Sequence, residues 1–249
     1  MLKTNTLAKQ RRQFLQLGFS LPGLIVLAEP VHAQTAVPLR GGLYDPEPPA
    51  DSSYVRIVVV GSDSAVDIYV DEKPHATNLA AGEVGDYMIL AGGKKTIQIH
   101  AAGKSKASVS HALDVPKGKA ITLAFNGIKS GTVPTQFEDK ANTNKLKAVV
   151  AAYHLDTKVG ALDVLTADGV TKVFTNLTYG TSNSIQVNPI SVELIAAKTG
   201  TTASALANKS AGLTMTQGAT YSVFFVPDAQ GKLVARTFQN KTERYAAKS

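Results

Sequence analysis

Three blocks of this sequence recur in the same order. Tyr54-Val55-Arg56-Ile57-Val58-Val59 is echoed by Leu146-Lys147-Ala148-Val149-Val150-Ala151, Ile97-Gln98-Ile99 by Val192-Glu193-Leu194, and the run from Lys117 to Phe125 by the run from Gln217 to Phe225. The spacing between partners grows from 92 to 95 to 100 residues, the drift that duplication followed by loop insertion leaves behind. Each copy must then bury a core of its own, and a unit of about 100 residues is an ordinary size for that. The chain therefore reads as one design used twice.

That design is a β design. Val66-Asp67-Ile68-Tyr69-Val70 alternates apolar and polar residues, the period-two signature of a half-buried strand. Ala167-Asp168-Gly169 is a turn signal between two apolar runs, because Asp bonds its own backbone in turns and Gly takes a positive φ. In Asn188-Pro189-Ile190-Ser191-Val192-Glu193-Leu194, Pro189 suits the position before a strand, and Val192 and Leu194 share one face. Short strands at 8–12-residue spacing, with no helical period sustained over a dozen residues, predict an all-β chain of two tandem antiparallel β-sandwich domains. The boundaries that follow are a Pro-rich lead over 34–53, a first sandwich over 54–127, a linker over 128–144 where the apolar pattern lapses, a second sandwich over 145–240 and a basic tail over 241–249.

Residues 1–33 carry a separate message. Arg11-Arg12-Gln13-Phe14-Leu15 precedes an apolar run to Leu27, and Val31-His32-Ala33 offers small residues at a cleavage position. The paired Arg11 and Arg12 followed by Phe14 and Leu15 predict a twin-arginine export signal, with Sec export as the other reading. The 13 residues from Leu15 to Leu27, broken by Gly18, Pro22 and Gly23, are short against the roughly 20 that a membrane span needs, so no span is expected after cleavage. The destination implied is the periplasm.

Removing the first 33 of 249 residues takes away Lys3, Lys9, Arg11, Arg12 and Glu29, and the net charge falls from +7 to +4. The remaining Lys and Arg are scattered, which argues for a solvated basic surface and against a nucleic-acid stripe. An anionic polysaccharide or an acidic protein fits such a surface. The chain has no Cys, so thiol chemistry, Cys–zinc sites and disulfides are excluded.

No catalytic set emerges from the spacing. His75, His100, His111 and His154 stand without the partners that metal-binding motifs require, so no metal or cofactor is expected. Gly61-Ser62-Asp63-Ser64 has the composition of a nucleophile block but lies in a turn between two strands, with no base nearby in sequence. Gly103-Lys104-Ser105 ends like a phosphate loop, yet Gln98 stands where that motif needs Gly.

With its segments placed, the chain resembles the AlgF family of periplasmic alginate O-acetylation proteins. The resemblance rests on Leu43-Tyr44-Asp45-Pro46 with Pro49-Ala50-Asp51-Ser52-Ser53-Tyr54-Val55-Arg56, on Leu165-Thr166-Ala167-Asp168-Gly169, and on Ile185-Gln186-Val187-Asn188-Pro189-Ile190-Ser191-Val192-Glu193-Leu194. Asp45 and Asp51 depart from the Gly that the family often has there, and a Sec signal is more usual. The resemblance implies a non-catalytic adaptor between a membrane O-acyltransferase and periplasmic SGNH-type acetyltransferases. A carbohydrate-binding module that holds the polymer directly is the alternative, and an acetyl-transferring enzyme is a third. For the adaptor, the expected interaction residues are Tyr44, Pro46 and Arg56, an aromatic and an Arg beside a Pro-rich segment.

Overall fold

The computed structural model describes residues 49–201 and 212–241, all of which belong to one compact unit. Every regular element among them is a β-strand. In the first repeat these are β1 (Ser52–Val60), β2 (Val66–Val70), β3 (Lys73–Leu79), β4 (Met88–Ala91), β5 (Gly93–Ala101), β6 (Val109–Val115), β7 (Ala120–Asn126) and β8 (Thr135–Glu138). The second holds β9 (Ala148–His154), β10 (Leu162–Thr166), β11 (Lys172–Leu177), β12 (Ser182–Val187), β13 (Ser191–Val192), β14 (Leu194–Lys198), β15 (Leu213–Thr214), β16 (Thr220–Pro227) and β17 (Leu233–Gln239).

Each repeat is a sandwich. In the first, the sheet β3-β2-β5-β6 faces the sheet β4-β1-β7-β8 across a core of Val55, Ile57, Ile68, Ile97, Ile99, Leu123 and Phe125. In the second, β11-β10-β14 faces β12-β9-β16-β17 across Val150, Ala152, Val164, Leu194, Val223 and Phe225, with the short pair β13-β15 alongside. Pairing is antiparallel except once per repeat, where β1 runs parallel to β7 and β9 parallel to β16.

The two inner sheets lie back to back. Along β1, Val55, Ile57 and Val59 enter the first core, and the alternate Val58 and Val60 enter a junction with Phe137, Tyr153, Phe224 and Val226. This explains why β1 and β9 are buried along their whole length and read as near-continuous apolar runs.

Register shows the duplication residue by residue. Tyr54 opposite Ala120 corresponds to Val149 opposite Thr220, so the first repeated block aligns Tyr54 with Val149 and not with Leu146. Asp67 opposite His100 corresponds to Asp163 opposite Ala197, which aligns Ile97 with Leu194 and not with Val192. Both hairpins carry a bulge at the same place, after Val66 and after Leu162, and at both an Asn takes a positive φ, Asn78 at 56° and Asn176 at 53°. Asn tolerates that region better than most residues. Each bulge is held by the preceding strand's Asp: Asp67 accepts the Asn78 N–H at 2.8 Å, and Asp163 accepts the Asn176 N–H at 2.9 Å.

The span 128–144, expected as a linker, contains β8, which joins the inner sheet of the first repeat against β7. Lys73 and Pro74 open the edge strand β3, where Pro is tolerated because an outer N–H is unneeded. The run from Ser191 to Ala197 is split at Glu193: β13 pairs with β15, and β14 pairs with β10. The turn at Ala167-Asp168-Gly169 forms as its residues predict, with Gly169 at φ 74° and the Asp168 carboxylate accepting the Val170 N–H.

Candidate functional site

The largest concentration of buried polar chemistry lies in the junction. Arg56 projects from β1 between the inner sheets and is 2% exposed. Its Nε donates to Thr122 Oγ1 at 2.7 Å, its Nη1 to Asn240 Oδ1 at 2.8 Å, and its Nη2 to Ser222 Oγ at 2.8 Å and Tyr153 Oη at 3.4 Å. The counter-charge is Asp139, just after β8, whose Oδ2 lies 3.7 Å from Nη2. Asp139 accepts from Thr122 Oγ1 at 2.6 Å, Tyr87 Oη at 2.7 Å and Tyr153 Oη at 2.6 Å. The guanidinium also lies over the rings of Tyr87 (4.6 Å) and Phe224 (5.1 Å).

Burial pushes the Tyr87 and Tyr153 phenols well above their ordinary range, and the adjacent Asp139 carboxylate adds to that by opposing a second negative charge. Both tyrosines therefore act as hydrogen-bond donors, as their geometry requires. A buried charge pair needs its remaining polar groups satisfied, and here each polar side chain named is hydrogen-bonded to the Arg or to the Asp.

The network inherits the duplication. Thr122 on β7 and Ser222 on β16 are equivalent positions, as are Asp139 and Asn240, whose N–H groups bond the carbonyls of Ala120 and Thr220. Thr122 donates to Asp139, and Ser222 donates to Asn240 at 2.8 Å. One Arg reaches both pairs, and its own equivalent in the second repeat is Ala151.

Arg56 was expected to face a partner; its donors all go to residues of this chain. Tyr44, Pro46 and the export-signal residues Arg11, Arg12, Phe14 and Leu15 lie outside the described residues. Asp139, Tyr87, Tyr153, Thr122, Ser222 and Asn240 were not anticipated. One signal for two of them was available, since Thr122 and Ser222 occupy matching places in the third repeated block.

Elsewhere the groups that chemistry would require are engaged structurally. Ser62 Oγ donates to its neighbour's carbonyl, Ser64 O, at 2.7 Å. His154 is buried, with Nε2 3.0 Å from Gly160 O and Nδ1 accepting the Asp156 N–H at 3.4 Å. Among the described residues no three His, Asp or Glu side chains gather as a metal site would need, and no helix is long and apolar enough to cross a membrane.

The family described as "Alginate O-acetyl transferase AlgF" matches residues 26–220. The chain belongs to the AlgF family. Membership ties it to alginate O-acetylation. The comparison with curated proteins found no match. Among solved structures, the C-terminal domain of AlgF from P. aeruginosa is 24% identical over 38% of this chain and 99% of that chain, with a TM-score of 0.31. The TIE protein of Bacillus anthracis is 12% identical over 75% of this chain and 34% of that one (TM-score 0.22). A family 26 carbohydrate-binding module from Eubacterium rectale Amy13K, in complex with maltoheptaose, is 14% identical over 77% and 97% (TM-score 0.23). Likenesses at these scores carry no argument about function.

Proposed function

We propose that this AlgF-family chain is a periplasmic, non-catalytic accessory protein of alginate O-acetylation, or of acetylation of a similar exported polymer. In this reading it holds acetyl-transferring enzymes, an SGNH-type acetyltransferase and a membrane O-acyltransferase, in a working arrangement. The observation that carries the reading is the junction. Two sandwiches joined through a largely buried polar network suit a protein whose task is to keep two partners at a fixed separation. The commitment of Ser62 and His154 to local hydrogen bonds supports the non-catalytic part, and the signal-like residues 1–33 support the location.

The test is the acetyl content of secreted polysaccharide in a strain deleted for this gene and in its complemented derivative. Loss of acetyl at unchanged polymer yield, with co-purification of acetylation enzymes on the tagged mature chain, is expected. Unchanged acetylation overturns the reading. Hydrolysis of an acetyl ester by the purified chain, abolished by Ser62→Ala, overturns the non-catalytic part alone.

A further inference from the structure

The sheets of more than two strands all end in edges, and all but one of those edges are blunted. β3 carries Lys73, Pro74 and a bulge, and β11 carries Lys172 and a bulge. β6, β8, β14 and β17 carry Asp114, Glu138, Lys198 and Arg236, while β4 runs for only four residues. Charge, proline, bulges and brevity are the devices that keep an edge from pairing with another chain. β12 has none of them: Ser182-Asn183-Ser184-Ile185-Gln186-Val187 is regular, uncharged and six residues long. Its ladder fixes which groups point outward. The His154 N–H bonds the Thr181 carbonyl at 3.2 Å, so by antiparallel alternation Asn183, Ile185 and Val187 exchange bonds with β9. The N–H and C=O groups of Ser182, Ser184 and Gln186 then turn the other way, and no second strand among the described residues reaches them.

The ends of the strand identify the occupant. Among the described residues the large apolar side chains left exposed are Val133, Leu146, Val170, Tyr179 and Ile190. Three of these five flank β12. Tyr179 stands three residues before its first residue, Ile190 three after its last, and Leu146 two before Ala148, which lies opposite that last residue. A two-fold axis between antiparallel strands brings the start of one against the end of the other. We propose that β12 pairs with β12 of a second copy of this chain about a two-fold through Ser184. All three outward residues are then used: Ser182 bonds Gln186 of the second copy, Ser184 bonds its own counterpart, and two four-stranded inner sheets become one continuous sheet. Tyr179 of each copy comes level with Pro189 and Ile190 of the other. A contact of this kind has to complement itself, and this one does: apolar ends meet apolar ends, and no charge on β12 faces its like. One strand pair is a small interface beside the roughly 1,600 Å² of a standard complex, so the dimer dissociates on dilution. The acetylation reading plays no part in this pairing.

The experiment is sedimentation of the purified mature chain over a dilution series, with amide hydrogen exchange measured at both ends of the series. A reversible monomer–dimer equilibrium is expected, with the Ser182, Ser184 and Gln186 amides exchanging fast in the monomer and slowly in the dimer. Added salt should not weaken it, because β12 is uncharged and two chains of net positive charge repel less when screened. Ser184→Pro removes an N–H that the fold leaves pointing outward and should weaken dimerisation about tenfold or more; Tyr179→Ser should weaken it about threefold or more. The chain has no Cys. Ser184→Cys therefore sets one thiol opposite its counterpart at about 5.5 Å between Cα atoms, within the reach of a disulfide. Air oxidation should link that variant into a covalent dimer, whereas Ser110→Cys, exposed on the edge strand β6, should stay monomeric. A monomer at every concentration, equal cross-linking at the two positions, or unchanged dimerisation of a folded Ser184→Pro chain each overturns the proposal. Slow exchange of the three amides in the monomer assigns the edge to another segment of this chain, and slowing only when a second protein is added assigns it to that protein; either result overturns the pairing of copies.

Discussion

The two repeats share a plan down to their bulges, yet they solve the same junction position differently. On the first side, Thr122 donates a hydrogen bond to the carboxylate of Asp139; on the second, Ser222 donates one to the neutral amide oxygen of Asn240. The difference follows from Arg56, present on β1 and replaced by Ala151 on β9. One buried cation needs one anion; a second Asp in place of the half-buried Asn240 would add a negative charge that no second cation balances. What the pair of copies teaches is that the duplication has been differentiated to make one asymmetric charge pair across a nearly symmetric seam.

The sharpest way to break that comparison is to remove the cation. Arg56→Ala leaves Asp139 buried and uncompensated and should cost about 3–5 kcal/mol in denaturant unfolding. Changing Asp139→Asn in the same chain makes the first side chemically like the second. The double variant should be more stable than the sum of the two single losses implies, and a strictly additive cycle would show that the 3.7 Å pair is not coupled.

The bulge carboxylates sharpen it next. Hydrogen bonding from Lys172, whose ammonium donates at 2.7 Å, and then from the Asn176 amide holds Asp163 down at about 2, whereas Asp67 is lowered by the amides of Asn78 and Gly103 with no Lys bonded to it. A carboxylate whose folded pKa lies below its unfolded value of about 3.9 stabilises the fold above that value and loses this contribution as pH falls toward about 2. Asp163→Asn should therefore cost roughly 2 kcal/mol at neutral pH and flatten the stability loss between about pH 4 and pH 2. Asp67→Asn should flatten it less, and equal acid limbs for the two variants would contradict the assignment.

The smallest contrast concerns two glycines at equivalent turns, Gly82 at φ 75° and Gly180 at φ 74°. Either change to Ala incurs the left-handed penalty of about 1 kcal/mol. At Gly82 a Cβ would also meet Val226 Cγ2 at 3.3 Å, while at Gly180 the nearest atom is Thr135 Cγ2 at 3.8 Å. Thermal unfolding should rank Gly82→Ala below Gly180→Ala, and the reverse order would show that the junction yields more easily at Val226 than its packing suggests.

Much of this fold was legible in the sequence, and the unread parts have physical reasons. Strands with alternating apolar and polar residues announce themselves, so β2 stands out. A strand buried on both faces does not: the valine run of β1 carries no mark of register, which is how the first repeated block slid by three residues against Val149. Edge strands are quiet for the opposite reason. In β8 only Phe137 faces a core, and in β3 Pro74 and four other exposed residues blur the pattern. The junction network was the least legible part, because an Arg in a strand reads as surface until its counter-charge is seen. Asp139 stands in a segment whose composition says loop.

The contact from Arg56 to Asn240 joins residues 184 positions apart. Nearly the whole described chain must be made before the guanidinium has its full set of partners, and within each repeat the parallel strand also waits for the last third of that repeat. Contacts of such separation are slow to form and expose apolar edges in the interval. Folding order is thereby written into the seam: both sandwiches can assemble their own cores first, and the lock between them closes at the end, when the final strand arrives. A chain cut short before β17 would keep the Arg56–Asp139 pair but lose the Asn240 acceptor and leave the apolar edge of β16 uncovered, a state that quality control in any compartment is equipped to notice.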